Sequence, residues 1–202
     1  MKRCLFRWNY ASVSGHRKEA QRGVHTEMED DRRLVVVLGT SHCVQMAENS
    51  TYRTIDDPDY GRLVERLITV FEIDALFEEA SECGPTSAQK LSGRLELKYH
   101  DVDPHPEKRH LYGLSGLTGE PLAEPFDFAH RMFPDAHFRR EDFWVDAIVR
   151  QSFQKALVIC GFLHTLSLSG RLDSAGFEVD AYVYVPYDKL CDKVHSACTM
   201  PA

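Results

Sequence analysis

Leu34-Val35-Val36-Val37-Leu38-Gly39-Thr40-Ser41-His42 opens as an unbroken apolar, β-branched run and closes in glycine and hydroxyl residues ahead of a histidine. A strand wetted on one face alternates apolar and polar residues. The lack of alternation over 34–38 marks a strand buried on both faces, as in a parallel sheet covered by helices. The same construction recurs in Ala156-Leu157-Val158-Ile159-Cys160-Gly161-Phe162-Leu163-His164. Two such strands point to the α/β class.

Working outward, helical and extended segments alternate. Tyr60, Leu63, Val64, Leu67, Ile68 and Phe71 recur at helical spacing over 57–71, with Asp56 or Asp57 as N-cap ahead of Pro58. Ile73 to Phe77 reads as a second strand broken by Glu78-Glu79. A short helix around Ser87 to Leu91 and a third strand near Leu95 to Tyr99 follow, and Pro104 and Pro106, which lack donors, keep that strand from running on. Gly113 to Pro125 reads as a loop. Phe138 to Lys155 predicts a long amphipathic helix carrying Phe143, Trp144, Ala147, Ile148 and Phe153. After the fourth strand, Ala156 to Cys160, come a helix through Leu172 that stops near Gly176, a fifth strand over Phe177 to Val185 and a terminal helix from Tyr187. The alternation predicts a single α/β domain over 31–202. Its central sheet is mostly parallel with helices on both faces, and the active-site crevice lies at the carboxyl ends of the strands.

Composition bounds the rest. A chain of 202 residues with 43% apolar and 27% charged residues can bury a core without disulfides or structural metal. Its net charge of −7 argues against non-specific nucleic-acid binding. Six cysteines without a Cys-x-x-Cys pair suit a reduced, cytoplasmic protein. The longest apolar stretch, Ala156 to Leu168, is too short and too polar for a membrane span. Met1 to Gly23 is basic and lacks the apolar segment of a secretory signal. Residues 1–30 are expected to be a disordered arm, or sequence upstream of a start at Met28, with no part in the fold; a basic targeting peptide is the alternative.

The strand ends carry the chemistry. The first delivers Gly39-Thr40-Ser41-His42, the second Glu78-Glu79, the third Asp101-Val102-Asp103 and the fourth Gly161-Phe162-Leu163-His164. Four strand ends thus bring a histidine or carboxylate to one edge. Glycine ahead of each histidine would let the backbone turn sharply and pass close to a ligand. Each histidine would fall near the positive end of the following helix, which favours the neutral ring that acts as base or metal ligand. Glu78 and Glu79 point to opposite faces, so only one of the two can face the site.

Gly39-x-x-His42, Gly161-x-x-His164 and the acid Glu79 after the second strand resemble the superfamily of TraB, Tiki, erythromycin esterases and ChaN-like proteins. Arg140, opening Arg140-Glu141-Asp142-Phe143-Trp144, is similar to that family's arginine at the start of a helix. Asp103 looks like the acid of its Asp-Arg or Asp-x-x-Arg segment, with the arginine displaced here to Arg109. The resemblance covers roughly Leu34 to Val183, and the chain is compact where larger members insert a helical lobe. It implies a hydrolase centre for a small-molecule or peptide substrate, with His42, Glu79, Arg140 and His164 catalytic and Gly39, Ser41, Asp103 and Gly161 binding substrate. His42, Glu79 and His164 would hold one divalent metal, zinc, manganese or iron, or a histidine would activate water directly. Arg140 would clamp an anionic group or the developing oxyanion.

Two rival readings stand, the first at the same edge and the second with incidental histidines. One is a non-catalytic protein binding haem, iron or another small ligand. The other is a nucleotide-binding domain, which the lack of a Gly-x-Gly-x-x-Gly fingerprint weakens. His100, His105 and His110 lack helical ligand spacing, and Cys43, Cys160, Phe143 and Trp144 read as core.

Overall fold

In the computed structural model the described residues are 4–8, 32–45, 57–80, 85–104, 108, 110 and 134–185; at 4–8, 42, 43, 134–137 and 185 the description covers the backbone alone. The elements in chain order are β1 (Cys4–Trp8), β2 (Leu34–Thr40), α1 (His42–Gln45), α2 (Pro58–Phe71), β3 (Ala75–Glu78), α3 (Ser87–Arg94) and β4 (Lys98–Asp101). Then come α4 (Pro134–Val149), β5 (Lys155–Gly161), a 3-10 turn (Phe162–His164), α5 (Thr165–Ser174) and β6 (Glu178–Val185). The strands form one sheet in the order β1-β6-β2-β5-β3-β4. β2 to β6 are mutually parallel, and β1 joins β6 antiparallel.

Alternate strand residues face opposite layers. Val35, Val37, Ala75, Phe77, Ala156 and Val158 pack beneath Trp144 and Ile148 of α4 and Leu168 and Leu172 of α5. Val36, Leu38, Leu76, Leu157 and Ile159 pack beneath Tyr60, Val64, Leu67 and Ile68 of α2 and Ala88 and Leu91 of α3. Helices therefore cover both faces, as the unalternating runs required. The chain leaves β2 and β3 toward one layer and β4 and β5 toward the other. Because β5 lies between β2 and β3, the connections part around its carboxyl end, where open α/β sheets hold their ligands.

Local chemistry sets the helix starts. Asp57 caps α2, accepting from the Asp59 N–H at 3.0 Å with Pro58 in the first turn. Thr86 caps α3, accepting from the Gln89 N–H at 3.0 Å.

Several elements differ from expectation. Residues 4–8, read as part of an arm outside the fold, form the edge strand β1, paired from Cys4 opposite Val185 to Trp8 opposite Ala181. So short a strand gains its backbone partners only from β6, which a reading of local pattern does not register. α3 continues to Arg94, and Glu96 takes a positive φ of 54°, so β4 begins at Lys98 rather than Leu95. α4 spans Pro134–Val149 rather than 138–155. Phe153, counted as a helix residue, is buried after the helix, stacked on Phe177 with ring centroids 5.8 Å apart. The Gly113 to Pro125 loop and the helix from Tyr187 lie outside the described residues. No helix among the described residues is long and apolar enough to cross a membrane.

Candidate active site

The two Gly-x-x-His segments leave the sheet side by side. Gly39 pairs with Cys160 and Thr40 with Gly161 across the β2–β5 ladder, so both chains turn off at one level. His42 opens α1, and its side chain lies outside the described residues. Ser41 is half-buried just before it. His164 ends the 3-10 turn and occupies the N-cap position of α5, without a side-chain capping bond. It is 6% exposed.

The glycines work differently from the expected sharp turn. Gly39 sits within β2. A Cβ there would stand 1.8 Å from Thr165 Oγ1 and 3.0 Å from Phe162 Cα, so the missing side chain makes room for the turn after β5. Gly161 has φ −57°, open to any residue. Its backbone N–H donates to Glu79 Oε2 at 2.8 Å.

Glu78 and Glu79 part at the end of β3. Glu79 turns toward α4, where Arg140 Nη2 lies 2.8 Å from Glu79 Oε1. Arg140 also grips Asp103, with Nε 2.5 Å from Oδ1 and Nη2 2.6 Å from Oδ2. The Trp144 indole N–H, one turn along α4, donates to Asp103 Oδ1 at 3.0 Å. One guanidinium thus bridges the ends of β3 and the segment after β4, a two-oxygen grip that lysine could not reproduce. His164 Nε2 faces this network, 4.0 Å from Glu79 Oε1. Its other nitrogen, Nδ1, lies 2.9 Å from Oε1 of the buried Glu141. The Trp144 ring meets the imidazole edge-on at 4.6 Å.

Glu78 turns to the α2 and α3 layer. Its Oε1 accepts from Gln45 Nε2 at 3.0 Å, and its Oε2 accepts from Thr86 at 2.5 Å and Tyr99 at 2.8 Å. Burial outweighs these three donors and pushes the Glu78 carboxyl up to about 7. Asp101, the next acid along this edge, is raised by its own burial, and its Oδ1 accepts from the Asp103 N–H at 3.0 Å.

Among the described residues no group of three His, Cys, Asp or Glu side chains is placed to hold a metal ion. The donors that are described fit a cation poorly. Glu79 already accepts from Gly161 and faces the Arg140 guanidinium. A divalent ion between Glu79 and His164 would stand against that fixed positive charge.

Of the residues given less weight, Cys160 is buried, and that burial raises its thiol well above the ordinary range and disfavours the thiolate. His100 stacks on Phe77 at 5.0 Å, with burial and Lys98 lowering its ring's pKa. Trp144 is core and also a donor to Asp103. His105, His110, Cys43 and Arg109 have no described geometry bearing on the site. Sequence reasoning missed Glu141, Gln45, Thr86 and Tyr99. Only Glu141, next to Arg140, was within reach of a motif. No family model matches the chain, and neither does any curated protein or solved structure.

Proposed function

We propose that this protein is a hydrolase of the TraB, Tiki, erythromycin-esterase and ChaN-like kind, cleaving an ester, amide or peptide bond in a small-molecule or peptide substrate. The observation that supports this reading is the buried His164, backed by the Glu141 carboxylate on Nδ1 and turned by Nε2 toward Glu79, Arg140 and Asp103. A buried ring anchored at Nδ1, with Nε2 turned toward the strand-end residues where two chain connections part, suits a general base.

In this reading His164 Nε2 removes a proton from a water molecule as its oxygen attacks the substrate carbonyl. The same nitrogen returns the proton to the leaving alkoxide or amine. Arg140 holds Glu79 and Asp103 in register and supplies positive charge beside the developing oxyanion. His42, leaving the neighbouring strand at the same level, is the second imidazole of the edge. The engagement of Glu79 by Arg140 and Gly161 favours direct activation of water over a resident metal.

The test is hydrolysis of a panel of aryl esters, anilides and short peptides by tag-free protein, with metal content measured on the same sample. His164→Asn, whose amide can replace Nδ1 as a donor to Glu141, should lower turnover by on the order of a hundredfold or more. Undiminished turnover in that variant would overturn the reading. A haem-region absorption band without turnover would favour ligand binding instead.

A further inference from the structure

Glu141 has polar partners on three sides. Ser167 Oγ donates to its Oε1 at 2.5 Å and Arg171 Nε to its Oε2 at 3.1 Å, while His164 Nδ1 stands 2.9 Å from Oε1. Ser167 and Arg171 are four residues apart on α5 and so share the helix face turned to α4. Arg171 also pairs with Asp142, the residue after Glu141. Glu141 itself is 0% exposed.

Two proton arrangements satisfy a buried carboxyl–imidazole contact. An ionised Glu141 accepts from Nδ1–H and leaves Nε2 with its lone pair. A protonated Glu141 donates to Nδ1 and forces the ring proton onto Nε2, which ends its use as a base. The Arg171 guanidinium favours the first arrangement, because it can only donate and its positive charge stabilises an ionised carboxylate, and the Ser167 hydroxyl adds a hydrogen bond to Oε1. We propose that Ser167 and Arg171 are positioning residues of this centre, holding Glu141 as an acceptor so that His164 keeps its proton on Nδ1 and presents Nε2 as the base. This rests on reading His164 as the base, but its test does not depend on activity.

Arg171 lines an open groove between α4 and α5 together with Phe138 and Val145, and its side chain is 29% exposed. Substitution there leaves the sheet core untouched. The experiment is imidazole nitrogen-15 spectroscopy of the full chain at mildly alkaline pH, with the His164 signals identified by their loss in His164→Asn. The wild type should show Nδ1 protonated and Nε2 bare. Arg171→Met combined with Ser167→Ala should shift His164 toward the opposite tautomer or a mixture, and Arg171→Lys alone should keep the wild-type pattern. In an active enzyme the double variant should lose kcat by about tenfold or more with little change in KM. A wild-type proton on Nε2, or an unchanged tautomer in the double variant, overturns the proposal. The expected tautomers in a protein that hydrolyses nothing would leave the positioning intact and remove only the hydrolase reading.

Discussion

Glu78 makes stability depend on pH in a way that can be worked from its surroundings. It is fully buried at the end of β3, and desolvation outweighs the hydrogen bonds from Thr86, Tyr99 and Gln45, raising its carboxyl from an ordinary 4.5 to about 7. A carboxyl raised in the folded state binds its proton more tightly there than in the unfolded chain. Its contribution is therefore fully present below about pH 4.5 and is lost as pH rises through about 7. At about 1.4 kcal/mol per pH unit, the loss over that window is about 3 kcal/mol. Asp101 is raised too and acts with the same sign. Glu78→Gln keeps the acceptor oxygen, removes the ionisation and leaves Asp101 in place, so the difference between the two proteins isolates Glu78. Urea unfolding at several pH values between about 4.5 and 8 should show wild type losing about 3 kcal/mol more than the variant. The offset between the two at low pH is immaterial, since the prediction concerns the slope. Parallel curves would refute the account of Glu78 as a buried, proton-holding carboxyl.

Three further outcomes follow from packing and pairing. Gly39→Ala should destabilise by about 1–3 kcal/mol, because its Cβ would meet Thr165 Oγ1 and the Phe162 backbone. Adding Thr165→Ala should recover part of the loss in urea unfolding, and a Gly39→Ala protein as stable as wild type would contradict the close approach. Trp144→Phe, which keeps a buried ring but removes the donor to Asp103, should cost about 1–3 kcal/mol in the same assay. Asp103→Asn, which takes one carboxylate from the buried face of Arg140, should cost about 3–5 kcal/mol at neutral pH; a change under about 1 kcal/mol would mean that the grip is solvent-screened.

The architecture was legible where pattern and physics coincide. Leu34 to Leu38 and Ala156 to Cys160 lack polar alternation because both faces of β2 and β5 are covered, and the start of α2 was readable to within one residue, Asp56 or Asp57 ahead of Pro58, of which Asp57 is the cap. β1 was not legible. Nothing local in Cys4–Trp8 distinguishes it from the basic arm around it, and its pairing is with β6, far along the chain. Strand ends named the edge of the sheet but not its wiring. Asp103 and Arg140 were each singled out, yet their contact across 37 residues needed the fold. Glu141 sat beside a named arginine and was missed because a carboxylate on a helix is ordinarily a solvated one. Only the crossing of α5 over α4 brings Ser167, Arg171 and His164 onto it. The role expected of Gly39 failed for a similar reason. A glycine before a histidine suggests a turn, whereas here the constraint comes from Thr165, on another element.

The proposed function rests on His164 as the base of a hydrolytic centre at the carboxyl end of β5. The test compares hydrolysis of the ester, anilide and peptide panel by wild type, His164→Asn and Glu79→Gln, with near-ultraviolet circular dichroism of the aromatic residues reporting that each is folded. Wild type should turn over at least one substrate class, and folded His164→Asn should lose that turnover by on the order of a hundredfold or more. Equal turnover in wild type and His164→Asn would contradict that role for His164.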